Sequence, residues 1–291
     1  MPEDEVIRAG YYEEDSTDRT ARWIGRNNLK TLQRSKILLV GAGAVGNEIC
    51  KNLGLLGVGT IYLVDFDVVT KSNLNRCVFF RPEDHKKKFK VHAVEERMAE
   101  ISNTKVIPHE YKIEDAPPEV WDVDMVIVGV DNDYARYQIN MKIFSLPTLM
   151  PVINGAMGKT FVEASFLLPG KTACLLCLWS KDYYTAILHR QVQIECSEYF
   201  QETLPKFPTI STLTALVGSI MSTEAIKILV GIEKWQKEEK WLPNLEPNLG
   251  MTVRYDIRKH EVFTGQILRN PRCVEVMCRN KHTPPLKKET D

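Results

Sequence analysis

Lys36-Ile-Leu-Leu-Val-Gly-Ala-Gly-Ala-Val-Gly46 is the stretch on which the fold reading turns. Lys36–Val40 is a continuous apolar run of buried-strand length bounded by glycine, which predicts a strand of a parallel sheet. Gly41, Gly43 and Gly46 supply a tight turn, close backbone approach to an anion and close helix–strand contact, with helix amides facing the anion. Behind them Val45, Ile49, Leu53 and Leu56 recur at the helical period until Gly57 and Gly59 stop them. Strand, glycine turn and helix together make the opening of a doubly wound α/β unit.

Working outward, Thr60–Val64 reads as a second strand ending in Asp65, and a helix from about Lys90 to Ile101 leads to a third strand near Lys105–Tyr111. Asp124–Val130 reads as a fourth, ending in Asp131. This alternation implies right-handed crossovers and a Rossmann-like, doubly wound, mainly parallel sheet covered on both faces. Upstream, Arg19–Gln33 reads as helical. In the second half, strand-like stretches in Lys159–Leu168 and Met251–Leu268, broken by Gly170 or by Arg258-Lys-His260, predict antiparallel hairpins that extend the sheet. Thr212–Val230 carries only Glu224 and Lys227 as charges and predicts a mostly buried helix. The expected layout is a flexible acidic arm over 1–18, a single domain over 19–278 with a mobile crossover segment at about 181–208, and a loose tail over 279–291.

Composition narrows the class. With 291 residues, 44% hydrophobic and 26% charged, the chain can bury a substantial core, which excludes intrinsic disorder. Its 38 basic and 38 acidic residues cancel, so no broad grip on nucleic acid or an anionic membrane is expected. No apolar run approaches the roughly 20 residues of a membrane span, and Met1-Pro-Glu-Asp-Glu5 is not a secretory signal. Seven cysteines, an odd number in a chain too long to need disulfide staples, fit a reducing, cytoplasmic setting.

Asp65 lies about 20 residues past the glycine turn, where a carboxylate can accept hydrogen bonds from ribose hydroxyls. Turn and acid together argue for an adenine nucleotide, most often a dinucleotide. Around them, however, stands a polar cluster that a nicotinamide site does not need: Asp65-Phe-Asp67-Val-Val-Thr-Lys-Ser-Asn73-Leu-Asn-Arg76, then Lys90, then Asp131-Asn-Asp-Tyr-Ala-Arg136. A triphosphate with magnesium needs cations around its phosphates and a carboxylate for the metal, and this set suits it. Gly158-Lys-Thr160 and Gly170-Lys-Thr172 are not P-loops, because Ile153 and Ser165 occupy the positions where the first glycine is required.

These motifs, with Lys90-Val91 and two close cysteine pairs, resemble the ThiF-type adenylating family, which includes ubiquitin-like modifier activating enzymes and the sulfur-carrier adenylyltransferases of molybdopterin and thiamine synthesis. The resemblance runs from about Arg19 to Cys278. It implies that Asp65 binds ribose, with Asp67 beside it in the nucleotide site; that Asn73, Arg76 and Lys90 hold the ATP phosphates; and that Asp131 carries magnesium. Arg19-Thr-Ala-Arg22-Trp-Ile resembles the family's N-terminal Arg-x-x-Arg-Gln motif, whose second arginine, here Arg22, reaches across a homodimer to the partner's ATP; Trp23 replaces the glutamine. Cys77 also stands where many relatives have glutamine. The implied reaction is adenylation of the C-terminal glycine carboxylate of a small ubiquitin-like protein ending in diglycine.

Cys174-Leu-Leu-Cys177 and Cys273-Val-Glu-Val-Met-Cys278 supply four thiolates, the number a closed tetrahedral zinc site takes; a redox dithiol is the rival. The resemblance implies structural zinc. Cys196, in Ile194-Glu-Cys-Ser-Glu, lies within the expected crossover, where a thiolate could turn the adenylate into a thioester and pass it to a conjugating enzyme. Its plain alternative is a packed small hydrophobe. His189 could assist only if this piece is helical, and Cys50, beside Ile49 and Leu53, reads as core. Three other readings compete: a sulfur-carrier adenylyltransferase without conjugation, an inactive subunit paired with an active one, and a plain dehydrogenase.

Overall fold

A computed structural model of the protein describes residues 16–196 and 209–280. The acidic arm up to residue 15, the back of the crossover over 197–208 and the tail beyond residue 280 lie outside the described residues. Helices α1 (Asp18–Ile24) and α2 (Arg26–Arg34) lead into β1 (Lys36–Val40), α3 (Ala44–Leu56), β2 (Thr60–Val64), α4 (Lys90–Met98), β3 (Lys105–His109), β4 (Met125–Val128) and α5 (Asp133–Ser145). There follow β5 (Val152–Met157), β6 (Phe161–Leu167), α6 (Lys181–Cys196), α7 (Ser211–Glu238), β7 (Met251–Asp256), β8 (Glu261–Gln266) and α8 (Val276–Arg279).

All eight strands join one sheet in the order β3-β2-β1-β4-β5-β6-β7-β8. The first five pair in parallel, and β6, β7 and β8 extend them antiparallel, as the hairpin reading expected. Strand order reverses between β1 and β4, so a crevice opens beyond their carboxyl ends, the place where open α/β sheets hold ligands. Continuous runs such as Ile37-Leu-Leu-Val40 are buried because helices cover both faces. On one face Leu39, Ile61 and Ile127 pack with α3, α4 and α7; on the other Leu38, Val126 and Val128 pack with α5 and the four paired cysteines.

Three expectations change in detail. The single N-terminal helix is two, because Gly25 adopts φ 87°, a left-handed conformation that stops one helix and starts the next. The crossover begins as a sixteen-residue helix, α6, rather than as irregular chain. The buried helix runs past Val230 to Glu238, longer than its apolar pattern.

Helix α7 is long and apolar enough by composition to cross a membrane, yet 61% of its most apolar window is buried in the protein. Val217, Met221 and Ile228 are fully enclosed. Gly218 lets α7 approach α3: a Cβ there would lie 2.7 Å from the Glu48 Cβ. Gly218→Val is therefore expected to lower stability by about 1–3 kcal/mol, read as a lower urea midpoint, with the strain falling on the helix that carries the glycine turn.

Candidate functional site

The three glycines do different work. Gly41 sits at φ 102° and donates its N–H to the Val64 carbonyl at 2.8 Å, while an added Cβ would lie 2.8 Å from the Gly129 carbonyl oxygen. Gly46 packs even closer, since its Cβ would come within 1.9 Å of the Gly41 oxygen. Gly43 faces open space, with nothing within 4 Å of a Cβ built on it. The turn is thus locked by two glycines and left vacant at the third, on the side where helix amides can meet a phosphate. The residues present fit a nucleotide there.

Asp65 ends β2 and ties the turn down. Its Oδ2 accepts the Ala42 N–H at 2.7 Å and its Oδ1 accepts the Asp67 N–H at 2.8 Å. Lys90, the first residue of α4 and only 8% exposed, reaches back with its ammonium 2.5 Å from Asp67 Oδ2 and 3.8 Å from Asp65 Oδ1. Burial pushes the Asp65 carboxyl up, and the nearby Lys90 ammonium opposes that. Burial also works against the Lys90 charge, but Asp65, Asp67 and, beyond β4, Asp131 together hold its pKa above the ordinary lysine value. The crevice therefore keeps a buried cation beside two carboxylates, with the Asp131 charge acting on it from farther off.

Asn73 ends a 3₁₀ turn (Lys71–Asn73), and Arg76 lies in the turn just after it. The Asn73 side-chain oxygen accepts hydrogen bonds from the Thr70 N–H and hydroxyl, both at 2.9 Å, which leaves its amide NH₂ as the group that could face a phosphate. Arg76 donates to the Ser72 carbonyl and to Asn75 Oδ1, folded over its own turn. Between these groups Cys77 is buried; its thiol is pushed up to about 12, first by burial, with Arg76 and Lys90 pulling down and Asp65 and Glu48 pushing up. Such a thiol stays protonated at neutral pH and is no nucleophile. Cys50 is fully buried as expected, and burial raises its thiol as well.

Two residues without an assigned role prove central to the geometry. Asn47, wholly buried, donates to the Ala42 and Gly43 carbonyls at 2.9 and 3.1 Å and accepts the Phe79 N–H at 3.0 Å, so it pins the 65–89 loop to the glycine turn. Its signal is an amide set in an otherwise apolar helix face. Arg136 donates to Asn154 Oδ1 at 3.0 Å, to the Val130 carbonyl at 2.5 Å and to the Gly155 carbonyl at 3.1 Å, fixing the backbone just ahead of Asp131. Asp131 itself is exposed. Arg22 is not gathered into this crevice; it stands exposed on α1, paired with Asp18 at 2.9 Å.

A second cluster lies on the α5 face. Cys174, Cys177, Cys273 and Cys278 are all buried, with their sulfurs within 4.8 Å of one another. The Cys174–Cys177 and Cys174–Cys273 Sγ separations are 3.7 Å and the Cys177–Cys278 separation is 3.5 Å. A tetrahedron of zinc–sulfur bonds near 2.3 Å has edges of about 3.8 Å, so the cage is close to the size zinc requires. Hydrogen bonding from Cys174 holds the Cys177 thiol low while Cys177 holds Cys174 high, as tightly packed thiols sharing protons do. The Leu175 N–H, inside the first pair, donates to Asn140 Oδ1 at 3.0 Å, so α5 touches this cage with its middle and the crevice with its first turn.

Residues 17–273 match the model of the ThiF family. The chain belongs to that family. Ubiquitin-activating enzyme E1-like of Saccharomyces cerevisiae is 34% identical over 159 residues, covering 53% of this chain and 24% of that protein. The Nedd8-activating enzyme E1 catalytic subunit of Drosophila melanogaster is 32% identical over 163 residues, 52% of this chain and 36% of that one. The chain thus spans about a quarter to a third of those two proteins. The sulfur carrier protein adenylyltransferase of Thermus thermophilus is 27% identical over 258 residues and matches in size, 86% of this chain and 85% of that one. In fold, the ThiF chain resembles the crystal structure of Escherichia coli MccB with ATP, at a TM-score of 0.69 and 19% identity over 91% of this chain and 74% of that one.

Proposed function

We propose that residues 19–278 act as one ATP-dependent adenylation unit that activates the C-terminal carboxylate of a ubiquitin-like protein ending in diglycine and then holds it as a thioester on Cys196. The observation that carries this reading is the open glycine turn at Gly43 beside a buried Lys90 paired with Asp67 and Asp65. A carboxylate oxygen of the carrier attacks the α-phosphorus of ATP, the bond to the β-phosphate oxygen breaks, and pyrophosphate leaves with the electron pair. Two anions must meet, so the work is positioning and charge neutralisation rather than proton removal. Asp65 orients the ribose, the glycine turn seats the phosphates, and Lys90, Asn73 and Arg76 turn toward them. Magnesium, held by Asp131, would neutralise phosphate charge. Zinc on the four cysteines would brace α5 and the second half of the chain.

Arg22 serves this scheme from the second copy of a homodimer, which agrees with its exposed place on α1. For the thioester step, a Cys196 thiolate attacks the acyl carbon and AMP leaves. Position 196 ends α6, two helical turns past His189. A conjugating enzyme would then accept the carrier. Cys50, Cys77, Cys174, Cys177, Cys273 and Cys278 are free thiols, which suits a reducing, cytoplasmic setting.

The test is intact-mass measurement after incubation with magnesium, ATP and diglycine-ended proteins, with and without reductant. Wild type should gain the carrier's mass in a thiol-sensitive linkage, and Cys196→Ala should lose that adduct while keeping ATP–pyrophosphate exchange. An adduct unchanged in Cys196→Ala removes the thioester assignment. The second reading, sulfur-carrier adenylation without conjugation, is favoured by the size match to the Thermus protein, and a thiocarboxylate product with no thiol-sensitive adduct would select it.

A further inference from the structure

The carboxylate of Asp133 is held on both sides. Its Oδ1 accepts from Arg136 Nη1 at 2.6 Å and its Oδ2 accepts the Tyr183 hydroxyl at 2.6 Å. Asp133 is not needed as the helix cap, because Asn132 fills that place by accepting the Tyr134 N–H at 2.8 Å. Tyr183 belongs to the first turn of α6, which touches the rest of the protein here mainly through rings: Tyr183 lies edge-on to Trp179 at 5.7 Å, and Tyr184 tilts against Tyr137 at 5.5 Å. The bond to Asp133 pushes the Tyr183 hydroxyl up to about 12, so it remains a donor. Arg136, on the other side, grips the Val130 carbonyl next to Asp131. Tyr183, Asp133, Arg136 and Val130 thus form an unbroken chain from the crossover helix to the candidate magnesium carboxylate.

We propose that Asp133 is a positioning residue that clamps the crossover helix α6 onto the nucleotide end of the sheet and couples the docking of that helix to the placement of Asp131. The geometry gives the clamp a reason to be breakable. From Tyr183 to position 196 runs roughly 20 Å of helix at 1.5 Å per residue. The bond between Asp133 and Tyr183 fixes one end of the element that bears Cys196, and its release frees that element to re-aim. The kinetic part of this proposal rests on the adenylation reading; the docking part does not.

Tyr183→Phe keeps the ring and removes only the donor, and Asp133→Asn keeps the shape and removes the charge. In the full chain, amide hydrogen exchange over residues 182–192 should quicken about tenfold in each variant, the loss expected of one charge-assisted hydrogen bond. In carrier-driven ATP–pyrophosphate exchange, Tyr183→Phe should lower kcat by about tenfold with the KM for ATP within about twofold of wild type. The double variant should be no worse than the worse single one, since both remove one interaction. Wild-type protection of α6 in both single variants, or additive losses in the double variant, overturns the clamp. If wild type itself shows no nucleotide exchange, the adenylation reading fails while hydrogen exchange still decides the docking.

Discussion

Gly43→Val is expected to leave the fold intact and to reduce ATP–pyrophosphate exchange by at least about 100-fold, the scale on which misplacing a reacting group by an ångström is felt. The backbone at Gly43 is ordinary, with φ −72° and ψ −160°, so a side chain introduces no strain, and a Cβ there meets nothing within 4 Å. The new methyl groups enter the space beside the helix amides that a phosphate must occupy. The cost to stability is small, about 1 kcal/mol for a poorer helix cap. Gly46→Ala makes the contrasting case. Its single methyl would sit 1.9 Å from the Gly41 oxygen, so the strand and helix must separate, and the variant should lose about 3 kcal/mol of stability. Urea unfolding and exchange kinetics on the two variants separate a residue that makes room for a ligand from one that makes room for the fold. Wild-type exchange in Gly43→Val would show that the phosphates do not lie on this turn.

The second large effect belongs to the cysteine cage. Purified protein is expected to hold one zinc per chain by elemental mass spectrometry, and Cys273→Ser to lose both the metal and folding free energy on the order of 5 kcal/mol or more, against the roughly 10–16 kcal/mol of structural zinc binding in small domains. A chelator should do the same to wild type. The cage lies in the core that covers one face of the sheet, so its loss leaves buried thiols without their common partner beside Leu176, Leu167 and Ile267. A redox dithiol would behave differently, with no bound metal and little change in stability on serine substitution. A metal-free protein as stable as its Cys273→Ser variant would therefore dismiss zinc.

The parallel half of the fold was legible because its inner strands are covered on two faces, which writes each of them into the sequence as an unbroken apolar run between glycines and acids. Ile37-Leu-Leu-Val40 and Met125-Val-Ile-Val128 are the plainest cases. Helix α6 was not legible for the opposite reason. Its partly buried residues do share a face, Tyr184, Ile187, Leu188 and Gln191, but the exposed Tyr183, Ala186 and Val192 beside them blur that stripe in the sequence. The break at Gly25 escaped because an isolated glycine in a helical pattern reads the same whether it is tolerated or left-handed, and only φ 87° separates the two.

The site divides similarly. Gly41, Gly43, Gly46 and Asp65 announce themselves by spacing, and the four cysteines by pairing. The work of Arg136 was invisible, since its partners are the Val130 and Gly155 carbonyls and an Asn154 side chain on a neighbouring strand, groups that no local motif records. Asn47 likewise acts through backbone carbonyls of the turn it follows.

The cage has one further consequence, concerning time. Cys174 and Cys273 are 99 positions apart, so at ribosomal speeds of about 5–20 residues per second the first sulfur pair waits roughly 5–20 seconds for the second. During that interval the nascent polypeptide already carries its glycine turn, Asp65 and Lys90, while the knuckle that meets Asn140 lacks two of its four sulfurs. With zinc as the ion of the cage, its capture would come late in biosynthesis, after the parallel strands are made, and cellular zinc supply would bear on how much of the protein matures.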